Sequence, residues 1–192
     1  MDTVFKETDI RAKQIVQILY YKLSYEQENN PDTILYDNQI SNLFLQKFLY
    51  FAQTFALKFF NKHLFIDDCE AWKYGPVIPN VYTAFNNYRE LLVSPDIFPK
   101  LDSFSRFIID STLGILKDCS TSQLVAIAHE PGAAWSKCYK ENVKHIIIPI
   151  ESIKQYVPNA FLKLVDVFTK RHKSFDESLV YNEIKSLDFL NG

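Results

Sequence analysis

Phe44, Phe48, Phe51, Phe55 and Phe59 recur every three or four residues, and Leu45, Leu49, Ala52, Ala56 and Phe60 form a second stripe beside them. That spacing puts side chains on neighbouring faces of a 3.6-residue turn. The pattern predicts a helix from Ser41 to Asn61. Only Gln46, Lys47, Gln53, Thr54 and Lys58 remain as a narrow polar strip. A helix apolar nearly all round is buried on most sides, so this segment is expected to be the central helix of the domain.

Upstream, Ile10, Ile15, Val16, Leu19, Tyr20 and Leu23 show the same period and predict a first helix from about Thr8 to Tyr25. The polar run from Gln27 to Asp32 then reads as an exposed loop. Downstream, prolines mark the joints, because a proline lacks an amide proton and clashes inside a helix. Leu64 to Tyr74 reads as extended, with Phe65 and Ile66 able to pair with Ala71 and Trp72 across Asp67-Asp68. Gly75-Pro76 turns the chain. Pro79 opens a helix with Val81, Tyr82 and Phe85 on one face, running to about Arg89. A two-proline loop covers residues 94–101. Asp102 or Ser103 caps a helix to about Asp118. Ser120 and Gln123 fit a capping box for a helix that stops at Pro131. A short helix follows at Ala133 to Tyr139, then a candidate strand at Ile146 to Ile148. Helices then open at Pro149 and Pro158, the last running to about His172.

Four glycines in 192 residues are too few for the tight turns of an all-β fold. The expected fold class is therefore mainly α: a single compact helical domain around a buried central helix, with a small β-hairpin or short strands. Residues 1–173 form that domain. Residues 174–192 read as an acidic amphipathic tail, with Leu179, Val180, Ile184 and Leu187 at helical spacing among Asp176, Glu177, Glu183 and Asp188.

Aromatic residues reach 15% of the chain, with 16 Phe and 11 Tyr. A Phe/Tyr-rich core accounts for most of them, and an aromatic contact surface is the alternative. The net charge of −2 lacks the basic excess of a phosphate-tracking protein and argues against nucleic acid as a partner. Lys170-Arg171-His172-Lys173 is a basic run at a helix end, where it compensates the dipole. Cys69, Cys119 and Cys138 contain no C-x-x-C pair, which fits free thiols in a reducing compartment. With no apolar leader at the N-terminus and no stretch long enough to span a bilayer, a cytoplasmic protein is expected, without a membrane partner.

Four segments carry a resemblance. Leu45 to Gln53, read L-Q-K-F-L-Y-F-A-Q, is similar to an L-Q-K-L-L-Y-x-A-Q helix. Ala71 to Tyr82 resembles the signature A-W-x-x-G-P-V-x-P-x-V-Y and is the most specific piece. His129 precedes Trp135 at the matching spacing, and Ile146 to Val157 resembles an I-x-x-x-I-x-x-Y-F ending. Together, over about residues 10 to 160, they resemble the SocA-like antitoxins of the Panacea domain, which include phage-associated GepA-type proteins. The resemblance implies a mostly helical antitoxin from a two-gene toxin–antitoxin pair, with a cognate toxin protein bound by direct contact. One branch of the family hands its toxin to a ClpXP-type protease, so such a protease is the second partner implied. Some members carry a DNA-binding domain in front; with the resemblance starting near residue 10, none is expected here. The chain departs from its relatives at Gly132-Ala133-Ala134, where polar residues and a proline are common.

Trp72, Tyr74, Gly75, Pro76, Pro79, Tyr82, His129 and Trp135 are the candidate partner-binding residues. They have two readings. They set a buried turn, with Gly supplying an unusual backbone angle and Trp filling core, or they form a rigid aromatic knob for a partner. The turn is the simpler account. His129-Glu130 lacks the second histidine of a zinc-protease helix, because Ala133 stands there. A loop histidine bonded to a carbonyl is the simpler reading. His63, Asp67, Asp68 and Glu70 are close enough in sequence to suggest a divalent ion, although a solvated loop explains them as well. Phosphate loops and nucleophile elbows are missing. The expectation is a binding protein, not an enzyme, with no cofactor or metal.

Overall fold

The computed structural model describes residues 11–19, 41–86 and 101–171. Helix α1 is described over residues 12–19. After it come α2 (Asn42–Phe60), β1 (Glu70–Trp72), β2 (Gly75–Val77), α3 (Pro79–Asn86), α4 (Ser103–Leu116), α5 (Thr121–Ala128), α6 (Ala134–Cys138), α7 (Ile150–Gln155) and α8 (Asn159–Arg171). The chain is mainly helical, with one small antiparallel sheet, as the sequence predicts. The ends of the first helix, the loop at 27–32, Arg89, most of the loop at 94–101, His172 and the acidic tail lie outside the described residues.

Helix α2 is the axis. It packs against α3, α4, α5, α7 and β2. Phe48, Phe51 and Phe55 are fully buried. Phe51 stacks on Phe161 of α8 at 4.8 Å, while Phe60 meets Phe104 and Phe107 of α4 edge-on at 5.7 and 5.6 Å. Most of the described phenylalanines are thus core, as the simpler reading of the composition holds. Ser41 caps the helix start by accepting from the amide of Phe44, and Asn61 ends it in the left-handed conformation at φ 53°. Asn tolerates that conformation because its short polar side chain bonds locally.

The other caps follow the sequence. Asp102 accepts from the amide of Ser105 to start α4. Ser120 and Gln123 close a full capping box on α5. Gly114 in α4 allows close approach of α8, since a Cβ there would stand 2.5 Å from the Phe168 ring.

The polar strip of α2 differs from a solvent-facing edge. Lys58 is exposed, but Gln46, Lys47, Gln53 and Thr54 are buried. Thr54 bonds back to the Tyr50 carbonyl. The other three reach the chain between 64 and 78. Gln53 accepts from the amides of Leu64 (2.8 Å) and Phe65 (3.3 Å) and donates to the Phe65 carbonyl (2.9 Å). Gln46 accepts from the amide of Ile78 at 2.7 Å, and Lys47 donates to the Pro76 carbonyl at 2.8 Å.

These bonds explain why the hairpin is not where the apolar run suggests. Phe65 and Ile66 do not pair with Ala71 and Trp72; Gln53 holds the backbone at Leu64 and Phe65 in an irregular path. The hairpin is centred five residues later, with Glu70 opposite Val77, Ala71 opposite Pro76 and Trp72 opposite Gly75. Pro76 fits because Ala71 turns its amide the other way, to the Ile146 carbonyl at 2.8 Å. Ile148 also donates to the Cys69 carbonyl at 2.7 Å, so the segment around Ile147 flanks β1 as a single bridge.

Gln53→Leu keeps the volume and removes these three bonds. Each buried amide left without an acceptor costs about 1–3 kcal/mol, so the variant is expected to lose about 2–4 kcal/mol in urea unfolding. A loss below about 1 kcal/mol would show that the 64–65 backbone finds other partners.

Candidate functional site

The hairpin has a buried side and an open side. Ala71 points into the core, while Glu70 and Trp72, two residues apart on the strand, share the opposite face. The tip, Lys73-Tyr74, is exposed, and Tyr74 is 64% accessible. The positive φ falls on Gly75, at 102°. Behind Gly75 a Cβ would lie 2.7 Å from Lys47 Nζ and 3.2 Å from His129 Nε2. Glycine is thus required twice, by its backbone angle and by the two side chains that occupy the space.

Lys47 is wholly enclosed, and burial lowers its pKa to about 8, against a smaller opposing effect of Cys69. Burial also pushes the Cys69 thiol up to about 12. Burial raises the Tyr50 hydroxyl well above its ordinary value, with a smaller opposing effect of Thr54. Among the described residues His129 Nε2 has no hydrogen-bond partner, and burial, then the Lys47 cation, lower the His129 pKa.

A run of rings braces the hairpin. His129 stacks on Trp135 at 3.8 Å with planes 4° apart, and Trp135 stacks on Tyr139 at 4.7 Å. The Trp135 indole N–H donates to the Trp72 carbonyl at 2.9 Å. The Trp72 indole N–H donates to Glu70 Oε2 at 2.8 Å, and the Trp72 ring packs on Tyr82 of α3 at 5.0 Å. His145, at φ 58°, brings Nδ1 within 3.3–3.4 Å of the Glu70 carboxylate.

The structure divides the candidate residues in two. Trp72 is half-buried, and Tyr74 and Tyr82 face solvent. Gly75, Pro76 and Trp135 are buried, while Pro79 and His129 are half-buried, and this second group shapes the hairpin from behind. All eight gather around one feature, the Gly75 turn and its supports.

The carboxylates that suggested a metal have other duties. Glu130 accepts from the amides of Asn159 (3.0 Å) and Ala160 (2.9 Å), capping the start of α8. The amide of Ala160, followed by Asn159, holds the Glu130 carboxyl below the usual range. Asp67 accepts from the amide of Ala12 at 2.8 Å, at the start of α1, and from Asn80 at 3.2 Å. Among the described residues no three His, Cys, Asp or Glu side chains converge as metal ligands. No helix among them is long and apolar enough to cross a membrane.

Lys47, Gln46 and Gln53 were not among the predicted site residues. Their signal was present as polar residues on a helix with no polar face to spare. Glu70 and His145 were also missed as a pair. Their sequence separation of 75 residues leaves no local pattern.

This is a helical domain that presents a short, braced aromatic hairpin. Residues 45–136 match the family described as Antitoxin SocA-like, Panacea domain. It is 37% identical over 112 residues to Antitoxin SocA of Caulobacter vibrioides (strain NA1000 / CB15N), a match covering 52% of this chain and 60% of that protein. No solved structure matches the chain.

Two outcomes check the geometry. Gly132 also has a positive φ, 84°, but open space where a Cβ would go. Gly132→Ala is expected to cost about 1 kcal/mol from backbone strain alone. Gly75→Ala is expected to cost about 2 kcal/mol more, as Lys47 and His129 must shift. Equal losses would mean that the cradle is loose.

The second outcome concerns pH. Folded Lys47 holds its proton less tightly than the unfolded chain does, so unfolding takes up a proton between about pH 8 and 10.5. Raising the pH through that window therefore favours the folded state at this residue. Cys69, held protonated in the fold, acts the other way above pH 9. The stability of the native chain minus that of Lys47→Met isolates the lysine and is expected to rise by up to about 3 kcal/mol from pH 8 to 10.5. A difference flat with pH would place the ammonium in contact with water.

Proposed function

We propose that this chain is an antitoxin that binds a cognate toxin protein by direct contact and masks it, with Trp72, Tyr74 and Tyr82 on the contact surface. The observation that carries this is Tyr74, a large aromatic side chain 64% accessible at the tip of a hairpin whose backbone is anchored from inside by Lys47, Gln46 and Trp135. Leaving a tyrosine in water on a rigid mount suits an interface anchor, since aromatic residues dominate binding hot spots. Gly75, Pro76, Pro79, His129 and Trp135 then serve binding indirectly, by fixing the mount. The family supports a toxin as the partner. The chain spans about 60% of the length of the curated relative it matches, so the partner and its fate belong to this proposal. So do binding without catalysis, action in the cytoplasm, and a domain ending near residue 173 with an acidic tail beyond it.

The test begins with a tagged pull-down from the native host, read by mass spectrometry, followed by co-expression of the captured protein. One small stoichiometric protein whose toxicity this chain relieves supports the reading. Relief of no co-purifying or neighbouring gene product overturns it. A partner that stays long-lived while bound is masked; one whose half-life falls is being handed to a protease. Tyr74→Ala is expected to leave the urea midpoint unchanged and weaken binding by about 2 kcal/mol, a thirty-fold change in Kd. Unchanged binding would move the contact surface away from the hairpin tip.

A further inference from the structure

Beside the hairpin, on the face that bears Glu70 and Trp72, lies a cavity of about 590 Å³. It is lined by Glu70, Trp72 and Lys73 from the hairpin and by Tyr139, Glu141 and residues 142–145 from the loop after α6. Its charged residues differ in burial. Lys73, Glu141, Lys144 and His145 are exposed, whereas the Glu70 side chain is only 13% accessible. Lys73 turns its ammonium over the Tyr74 ring at 5.6 Å.

A carboxylate this enclosed needs donors, because a desolvated anion is costly unless paired. Glu70 has one firm donor, the Trp72 indole at 2.8 Å. Its second contact is His145 at 3.3–3.4 Å, through a side chain that is 80% accessible. That is a long bond to a group lying mostly in water. It fills the position without closing it, and a stronger donor entering from solvent would replace it. The surroundings favour one kind of donor. Trp72 and Tyr139 bring aromatic surface to the cavity, and a guanidinium is planar, weakly hydrated and able both to stack on rings and to grip a carboxylate with two N–H groups.

We propose that this cavity receives an arginine side chain of the partner protein, its guanidinium displacing His145 from Glu70 and its stem lying against Trp72 and Tyr139. The proposal deepens the reading of the hairpin face as a protein-binding surface and rests on it. It adds what the partner must present: an exposed arginine on a loop or helix end slim enough to enter beside the hairpin.

A small probe separates this from the identity of the partner. N-acetyl-arginine amide is titrated into the full chain, with the Trp72 indole N–H resonance followed by NMR and assigned with Trp72→Phe. The expected result is a saturable shift with a dissociation constant on the order of 1–10 mM, the range for a fragment of this size. Glu70→Gln retains an oxygen acceptor for the Trp72 indole, so the fold is kept. It is expected to weaken the arginine amide by about tenfold, since a charge-assisted bond is lost. The control Glu151→Gln, an exposed residue of α7 outside the cavity, is expected to bind as the native chain does. Three results would overturn the proposal: an equal shift with N-acetyl-norleucine amide, which would make the seat merely apolar; preference for N-acetyl-glutamate amide, which would give it to Lys73 and Lys144; or no saturable shift. None of these depends on whether a toxin is ever captured, so the arginine seat and the antitoxin reading can fail separately.

Discussion

Gln46, Lys47 and Gln53 carry polar atoms into the middle of the molecule from a helix otherwise built of phenylalanine, leucine and alanine. Each is tolerable there because a backbone group of the 64–78 segment meets it. The dependence is mutual, since that segment has just two three-residue strands of regular structure and relies on side chains and a flanking segment for the rest of its backbone bonds. Isolated hairpins of such length are marginal in water. The central helix supplies part of what a larger sheet would have supplied, and it fixes the return strand of the hairpin at Pro76 and Ile78.

The same economy appears elsewhere in the chain. Asp67 and Glu130, acidic residues of irregular segments, end up at the starts of helices remote in sequence, where free amides and the helix dipole favour a negative charge. Trp135 spends its indole N–H on the carbonyl of Trp72, and His129 spends its ring face on Trp135. Groups that invite a chemical story in isolation are occupied with holding loops, which is why the hairpin can stand clear of the core and still be fixed.

Much of this was legible in the residues. The stripes on α2, the capping box at Ser120 and Gln123 and the proline joints are local signals, and local signals survive folding because they concern groups a few bonds apart. The hairpin was displaced by several residues because its register depends on Gln53, which pins Leu64 and Phe65 from eleven and twelve positions away. A run such as Phe65-Ile66 looks like a strand to any period-based argument. The candidate residues from Trp72 to Trp135 do converge. Their division into a solvent side and an inner side could not be read beforehand, since it rests on Trp72 and Tyr82 packing together while Gly75 backs onto Lys47. The pairing of Glu70 with His145 across 75 positions left no pattern at all.

The anchoring of the hairpin by α2 also sets how binding at its tip would behave. A loop that orders only on contact loses conformational freedom at that moment, and the loss is subtracted from affinity. Here the backbone beneath Tyr74 is tied to buried side chains at Pro76 and Ile78, so that freedom is surrendered once, when the chain folds. A partner would meet a pre-organised surface, and its association would resemble the docking of two rigid bodies more than coupled folding. The tip residues Lys73 and Tyr74 stand outside the anchoring bonds, so they are the positions at which sequence can drift toward a new partner without loosening the frame.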